Sequence, residues 1–252
     1  MEIHHAAREG FGSSADAYAR GRPDYPEELQ EWLAGIVGTE RRVAEIGAGT
    51  GKFTRRLLDT GAAVVAVEPV EAMRRQLKAQ YPDVPVVDAV AADLPFDDAS
   101  LDAVCCAQSF HWFATAETLC EFGRVLKPGG SLLLVWNTRD DTVPWVRALG
   151  EIVNAHAGDA PRFASGAWRA PFPAKGFGPL QETRFPHAHA GPVEEVVIDR
   201  FLSVSYIAAL PAPERERVAE RLRAAVAAVP NLAGQDKIAV PYVTSAFRCR
   251  RL

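Results

Sequence analysis

A short apolar strand that runs straight into three closely spaced glycines restricts this chain's fold more than any other feature. Val43-Ala44-Glu45-Ile46 has the length and character of a buried strand, and Gly47-Ala48-Gly49-Thr50-Gly51 follows at once. Residues 52–58 then resume with helical spacing, and Gly61 closes them. Glycine tolerates backbone conformations that other residues resist, and it lets a ligand approach without a Cβ in the way. A strand, a glycine turn and a helix in that order belong to an open α/β sheet, in which ligands sit outside the carboxyl ends of the strands.

The same alternation recurs downstream. Residues 62–67 are apolar nearly throughout, as expected of a strand covered on both faces. Residues 71–80 read as a helix stopped by Pro82. Strands are predicted over 84–90 and 101–107, a helix over 115–126, a turn at Lys127-Pro128-Gly129-Gly130 and a fifth strand over 131–136. Repeated strand–helix units imply a doubly wound, Rossmann-like α/β fold, a mostly parallel sheet with helices on both faces. Farther on, 143–156 reads as a helix and 180–190 as a sixth strand. Residues 193–202 and 213–229 read as helices, and 238–249 as a final strand in which Pro241 favours a start or a bulge. The proline- and glycine-rich stretch 161–179 carries Trp168, Phe172 and Phe177, too apolar for a linker, so an ordered loop over a pocket is expected. No interdomain linker is recognisable, and 1–252 is read as one domain.

Bulk properties narrow the function. The chain has 252 residues, 48% hydrophobic and 24% charged, with a formal net charge of -4. Nucleic-acid binders usually carry a basic surplus, because phosphate contacts dominate their affinity. No apolar run approaches the roughly 20 residues of a membrane helix. The opening residues lack the basic and apolar regions of a secretory signal. Cys105, Cys106, Cys120 and Cys249 form no C-x-x-C pair, so buried reduced thiols and a cytoplasmic location are expected. His187 and His189 share a strand face but lack further ligands, so no metal is expected.

The glycine turn specifies the ligand further. A dinucleotide fingerprint requires G-x-G-x-x-G, but its third position here is Lys52, and the third glycine falls at Gly51. A phosphate-binding P-loop requires Gly-Lys followed by Ser or Thr, whereas Gly51-Lys52 precedes Phe53. Glu45, two residues before the first glycine, suits a ligand with a positive amino or sulfonium group better than a pyrophosphate. Glu68, 21 residues after Gly47 at the end of the second strand, is placed to accept both hydroxyls of a ribose. Asp93, in Ala92-Asp93-Leu94-Pro95 after the third strand, is placed to accept a hydrogen bond from an adenine amino group.

Three segments carrying these acids resemble the class I S-adenosylmethionine (SAM)-dependent methyltransferases, in the branch similar to trans-aconitate and ubiquinone-type small-molecule methyltransferases. They are Glu45 to Thr54, Val67 to Met73, and Ala91 to Asn137. Tyr18-Ala19-Arg20-Gly21-Arg22-Pro23-Asp24-Tyr25-Pro26 also matches that branch. The resemblance is good over about residues 11–137 and loose beyond. It implies a seven-stranded sheet whose last strand is antiparallel. It divides the chain into an N-terminal helical arm over the cofactor (1–40), a SAM-binding core (41–137), acceptor-side helices and loops (138–235) and a terminal strand (236–252). By position, Glu45, Gly47, Ala48, Gly49, Thr50 and Gly51 would cradle the methionine part, and Glu68 the ribose. Pro69 and Met73 would pack on the adenine, Ala92, Asp93 and Leu94 would meet its edge, and Gln108 would lie beside the cofactor. Tyr18 and Arg22 would close over the methionine end, Arg22 pairing with its carboxylate. Gly10, Gly12 and Gly21 suggest that this arm orders on cofactor binding.

Methyl transfer from a sulfonium needs alignment above all, and a base only where the nucleophile must lose a proton. His111, after the fourth strand, is the catalytic candidate because histidine titrates near neutral pH; the alternative is that it packs structurally beside Trp112. Trp112, Trp136, Trp168 and Tyr206 are candidates for an apolar acceptor pocket, and aromatic clusters of this kind also build cores. The expected partner is a small-molecule acceptor, with no nucleic acid or membrane, in a monomer or homodimer. The alternatives are a methyltransferase acting on protein or RNA, a SAM-binding protein without transfer activity, and a dehydrogenase, the last disfavoured by the missing glycine and by Glu45.

Overall fold

The computed structural model describes residues 22–252. Seven strands form one sheet in the order β3-β2-β1-β4-β5-β7-β6. They are β1 (Arg42–Ile46), β2 (Ala63–Val67), β3 (Val86–Val87), β4 (Leu101–Ala107), β5 (Leu126–Arg139), β6 (Gln181–Pro192) and β7 (Lys237–Arg250). Strands β1 to β5 pair in parallel, and β7 runs antiparallel between β5 and β6. This is the doubly wound, seven-stranded Rossmann-like sheet expected from the sequence.

Both faces of the central strands are buried, which is why they read as unbroken apolar runs. Val43, Ala103, Cys105, Leu133 and Val135 face α1 (Glu27–Val37) and α2 (Thr54–Leu58). Their neighbours Ala44, Ile46, Val104, Cys106 and Leu134 face α4 (Ala116–Val125). Between these helices in the chain lies α3 (Glu71–Gln80), which packs Leu77 beside Ala66 and Val84. A third apolar cluster joins α5 (Pro144–Asn154), α6 (Ala212–Ala227) and a π-helical turn over Glu194–Asp199 to the start of β7.

Several boundaries depart from the sequence reading. The third strand shrinks from 84–90 to two residues, because among the described residues its only partner is β2 and Pro85 has no N–H to give. The expected turn 127–130 is a bulge inside β5: pairing with β4 skips from Leu126 to Ser131, and Gly129 takes φ +77°. The helix after the glycine turn begins only at Thr54. Within the described part of the arm, α1 packs Leu29, Leu33 and Val37 on the sheet, so residues 22–25, not the helix, reach the ligand side. Three cysteines are buried and Cys120 is exposed; all four are free thiols. Among the described residues no helix is long and apolar enough to cross a membrane.

Candidate active site

The order of the strands places β1 beside β4, with β2 and β3 on one side and β5 onward on the other. Connections therefore leave β1 and β4 in opposite directions, and a crevice opens at their carboxyl ends. A cavity lies there.

The glycine turn forms its wall. Gly47 and Ala48 both donate to the Val67 carbonyl, at 2.8 and 3.2 Å, lashing the turn to the end of β2. The three glycines have φ of +69°, +60° and +89°, the left-handed region that side chains resist. A Cβ on Gly47 would stand 2.6 Å from Ser109 Cβ, and one on Gly51 would stand 2.9 Å from the Tyr81 ring. Gly49 is different: among the described residues a Cβ there would meet only Met73 Sδ, at 3.6 Å. Two of the glycines are thus required by packing, and the third leaves the cavity wall bare.

Two carboxylates project into this cavity from beneath. Glu68 is 5% exposed; its Oε2 accepts from Gly49 N–H at 2.8 Å and its Oε1 from Val70 N–H at 2.9 Å. Burial raises its pKa against the pull of those two bonds and of Arg74. Glu45 is 1% exposed and accepts from Thr54 Oγ1 at 2.5 Å. Burial pushes its pKa up to about 8, the Thr54 hydrogen bond opposes the rise, and the Glu68 charge adds to it. A buried acid that is protonated at neutral pH stands ready to ionise against an incoming cation.

A basic group lines the same cavity, and only part of it was anticipated. Arg22 reaches Ser203 O at 3.5 Å, and Lys52 Nζ donates to the Arg22 carbonyl. Burial pushes the Lys52 ammonium down to about 8; Asp24 opposes this, and Arg22 and Arg200 reinforce it. Arg200 is 6% exposed, and its Nε and Nη1 have no hydrogen-bond partner among the described residues. Lys52 carried a signal in the sequence, standing directly after the third glycine. Arg200 carried none, being one arginine in a helical stretch.

The remaining anticipated residues divide. Thr50, Pro69 and Met73 line the cavity, with Val70 beside them. Gln108 does so with a φ of +59°, an unfavourable conformation for a side chain, and reaches Asn137 O at 3.3 Å. The residues expected at an adenine edge do not line the cavity: Ala89, Val90 and Ala91 form its wall, while Ala92, Asp93 and Leu94 do not. Asp93 N–H closes a turn onto Val90 O at 3.1 Å, leaving Asp93 exposed. Leu94 is held in the core, its N–H donated to Glu121. Tyr18 lies outside the described residues.

His111 does not stand in the cavity wall. Its Nδ1 accepts from Trp136 Nε1 at 3.1 Å, and because indole is a donor only, the ring is the neutral Nε2–H tautomer. Burial pushes its pKa down to about 3, with Arg22 adding to the fall. Its one lone pair is occupied, so the geometry gives it a structural part and no place as a base. Of the four aromatic candidates only Trp112 lines the cavity, with Phe113. Trp136 and Trp168 pack on each other at 4.5 Å, with Phe163 and Phe247 around them. The loop 161–179 is therefore ordered, and its aromatics complete the core under the sheet. Tyr206 bonds Asn154 Oδ1 at 3.1 Å, within the third cluster.

Comparison with known proteins agrees with this geometry. Residues 44–134 match the family described as a methyltransferase domain. An uncharacterized methyltransferase of Mycobacterium bovis is 41% identical over 238 residues, covering 94% of each chain. An uncharacterized methyltransferase-like protein of Schizosaccharomyces pombe is 38% identical over 240 residues, covering 94% of this chain and 93% of its own. Among solved structures, a type II methyltransferase candidate from Anaeromyxobacter dehalogenans superposes with a TM-score of 0.66 at 24% identity, over 91% of this chain and 97% of its own. At that identity the structure supports the fold, and the sequence relatives support the activity. The chain is an enzyme that belongs to the methyltransferase family.

Proposed function

We propose that this enzyme transfers a methyl group from SAM to a small-molecule acceptor. The observation that carries the reading is the pairing of a Cβ-free glycine turn with two buried carboxylates, Glu45 and Glu68, in one cavity at the switch point of the sheet. Each Glu68 oxygen spends one lone pair on a backbone N–H and keeps another, which suits two vicinal ribose hydroxyls. Pro69, Val70 and Met73 offer an apolar slot for a flat base. Glu45 suits an α-ammonium, and Arg22 the neighbouring carboxylate.

When bound, the sulfonium supplies an electrophilic methyl group: the acceptor's lone pair forms the new bond while the sulfur–methyl electron pair returns to sulfur. The chain's part is to hold two reactants in line, which is worth about 7–11 kcal/mol in favourable cases. Trp112 and Phe113 supply an aromatic wall against which an acceptor is confined. With His111 neutral and engaged, the described residues favour a nucleophile that arrives deprotonated or gives its proton to water. A net charge of -4 favours a small molecule over RNA.

The test is calorimetric titration with S-adenosylhomocysteine, NAD as control and Glu68→Ala alongside. Micromolar binding of the homocysteine compound, lost in the variant and absent for NAD, supports the reading. Failure to bind it, or clear binding of NAD, overturns the reading.

A further inference from the structure

The cavity holds more positive charge than one cofactor carboxylate answers. Arg22, Lys52 and Arg200 all line it, and Arg22 and Arg200 both act on the Lys52 ammonium. Asp24, the acid that acts on Lys52, already pairs with Arg56 at 3.1 Å and is itself two-thirds exposed. Arg139, half-buried, lies near enough to Arg200 to be destabilised by it, and its guanidinium rests 4.3 Å from the centre of the Phe201 ring. No carboxylate among the described residues bonds Arg200. A guanidinium with Nε and Nη1 unpartnered at 6% exposure is costly, since buried charges in folded proteins are normally paired and hydrogen-bonded. A purely structural arginine would have found a carbonyl or carboxylate. One left open on a cavity is waiting for an anion supplied from outside the chain.

Bound SAM brings a single carboxylate, which Arg22 suits. It also brings an ammonium and a sulfonium, so cofactor binding makes the cavity more positive. The aromatic wall of Trp112 and Phe113 opens on the same space.

Resting on the methyltransferase reading above, we infer that Arg200 is a specificity-determining anchor for an oxyanion of the acceptor, so that the enzyme methylates acidic small molecules. The planar fork offers two parallel N–H donors to a carboxylate or phosphate, a bidentate geometry that neutral acceptors cannot match. Lys52, its Nζ donating to the Arg22 carbonyl, adds charge beside it. Arg200 follows the π-helical turn Glu194–Asp199 directly, as the first residue of the α-helical stretch Arg200–Leu202.

The test uses full-length protein saturated with S-adenosylhomocysteine, which separates this inference from the cofactor reading. Benzoate, glutarate and inorganic phosphate are titrated against the neutral isosteres benzamide and glutaramide at constant ionic strength, with calorimetry and thermal midpoint as readouts. Binding of a carboxylate or of phosphate to the loaded protein, at least ~30-fold tighter than the amides, is expected; which of the two binds identifies the acid. Arg200→Met should abolish that preference while S-adenosylhomocysteine affinity stays within about three-fold, and Arg200→Lys should restore part of it. If no anion binds the loaded protein in preference to its amide, the inference fails while the cofactor reading stands. If Arg200→Met folds but loses S-adenosylhomocysteine, the arginine serves the cofactor carboxylate and the inference also fails. If Arg200→Met does not fold, the wild-type titrations and Arg200→Lys decide.

Discussion

Replacing Glu45 by Gln should make the free protein more stable and the enzyme unable to hold its cofactor. The carboxyl is fully buried with a pKa moved from 4.5 to about 8. A raised carboxyl pKa means that the folded state holds the proton more tightly than the unfolded chain does. The group's contribution to stability is therefore intact below about pH 4.5 and is lost as pH rises toward 8. From those two values, wild type loses about 2.5 kcal/mol between pH 5 and pH 7 through this residue, and about 1 kcal/mol more by pH 8. Gln keeps the shape and still accepts from Thr54, but has nothing to ionise. The variant should accordingly gain on wild type by ~5–10 °C in thermal midpoint between pH 5 and pH 7. The assay is thermal unfolding of both proteins across pH 5 to 8, with and without saturating S-adenosylhomocysteine. The ligand should raise the wild-type midpoint strongly and the variant's little, because its ammonium supplies the countercharge only where a carboxylate can form. Binding to wild type at pH 7 should also release a proton, seen as a buffer-dependent enthalpy. A difference between the two proteins that stays flat across this pH range would refute the reasoning.

Further predictions rest on other contacts. Gly47→Ala must place a Cβ 2.6 Å from Ser109 Cβ at a φ of +69°, so it should cost about 1–3 kcal/mol or more in denaturant unfolding and weaken S-adenosylhomocysteine binding with it. Trp168→Ala empties a core position with 2% exposure and should cost about 3–5 kcal/mol, whereas Trp112→Ala should leave stability nearly intact and raise the acceptor KM. Equal unfolding midpoints for those two variants would contradict their separate placement. His111→Gln should leave the shape of the pH–rate profile unchanged between pH 5.5 and 9, since the native ring titrates at about 3; a lost ionisation in that range would restore it as a base.

The alternation of strands and helices was readable because both faces of β1, β2 and β4 are covered, so burial demands unbroken apolar runs. Glu45, Glu68 and the three glycines were readable for a related reason. Backbone sign and ligand charge both constrain residue type at fixed distances from a strand end. Aromatic residues gave no such guidance: Trp112 on the cavity and Trp168 in the core are the same residue type, and only the path of loop 161–179 separates them. His111 looked like a base by its pKa as a free side chain. Its function depends on Trp136, 25 residues away, which takes its lone pair.

By itself, the sequence determined the doubly wound sheet, the glycine turn and the order of the acids behind it, since those follow from local backbone and periodicity. Tertiary structure alone decided which atoms share the cavity. It turned the chain at Val90, so that Ala89 to Ala91 became the wall and Asp93 was left outside. It also brought Arg200 beside Arg22 and Lys52, across more than 140 residues of chain, and left its guanidinium without a partner. Desolvation, and with it every shifted pKa in the site, depends on what the rest of the fold lays over a residue.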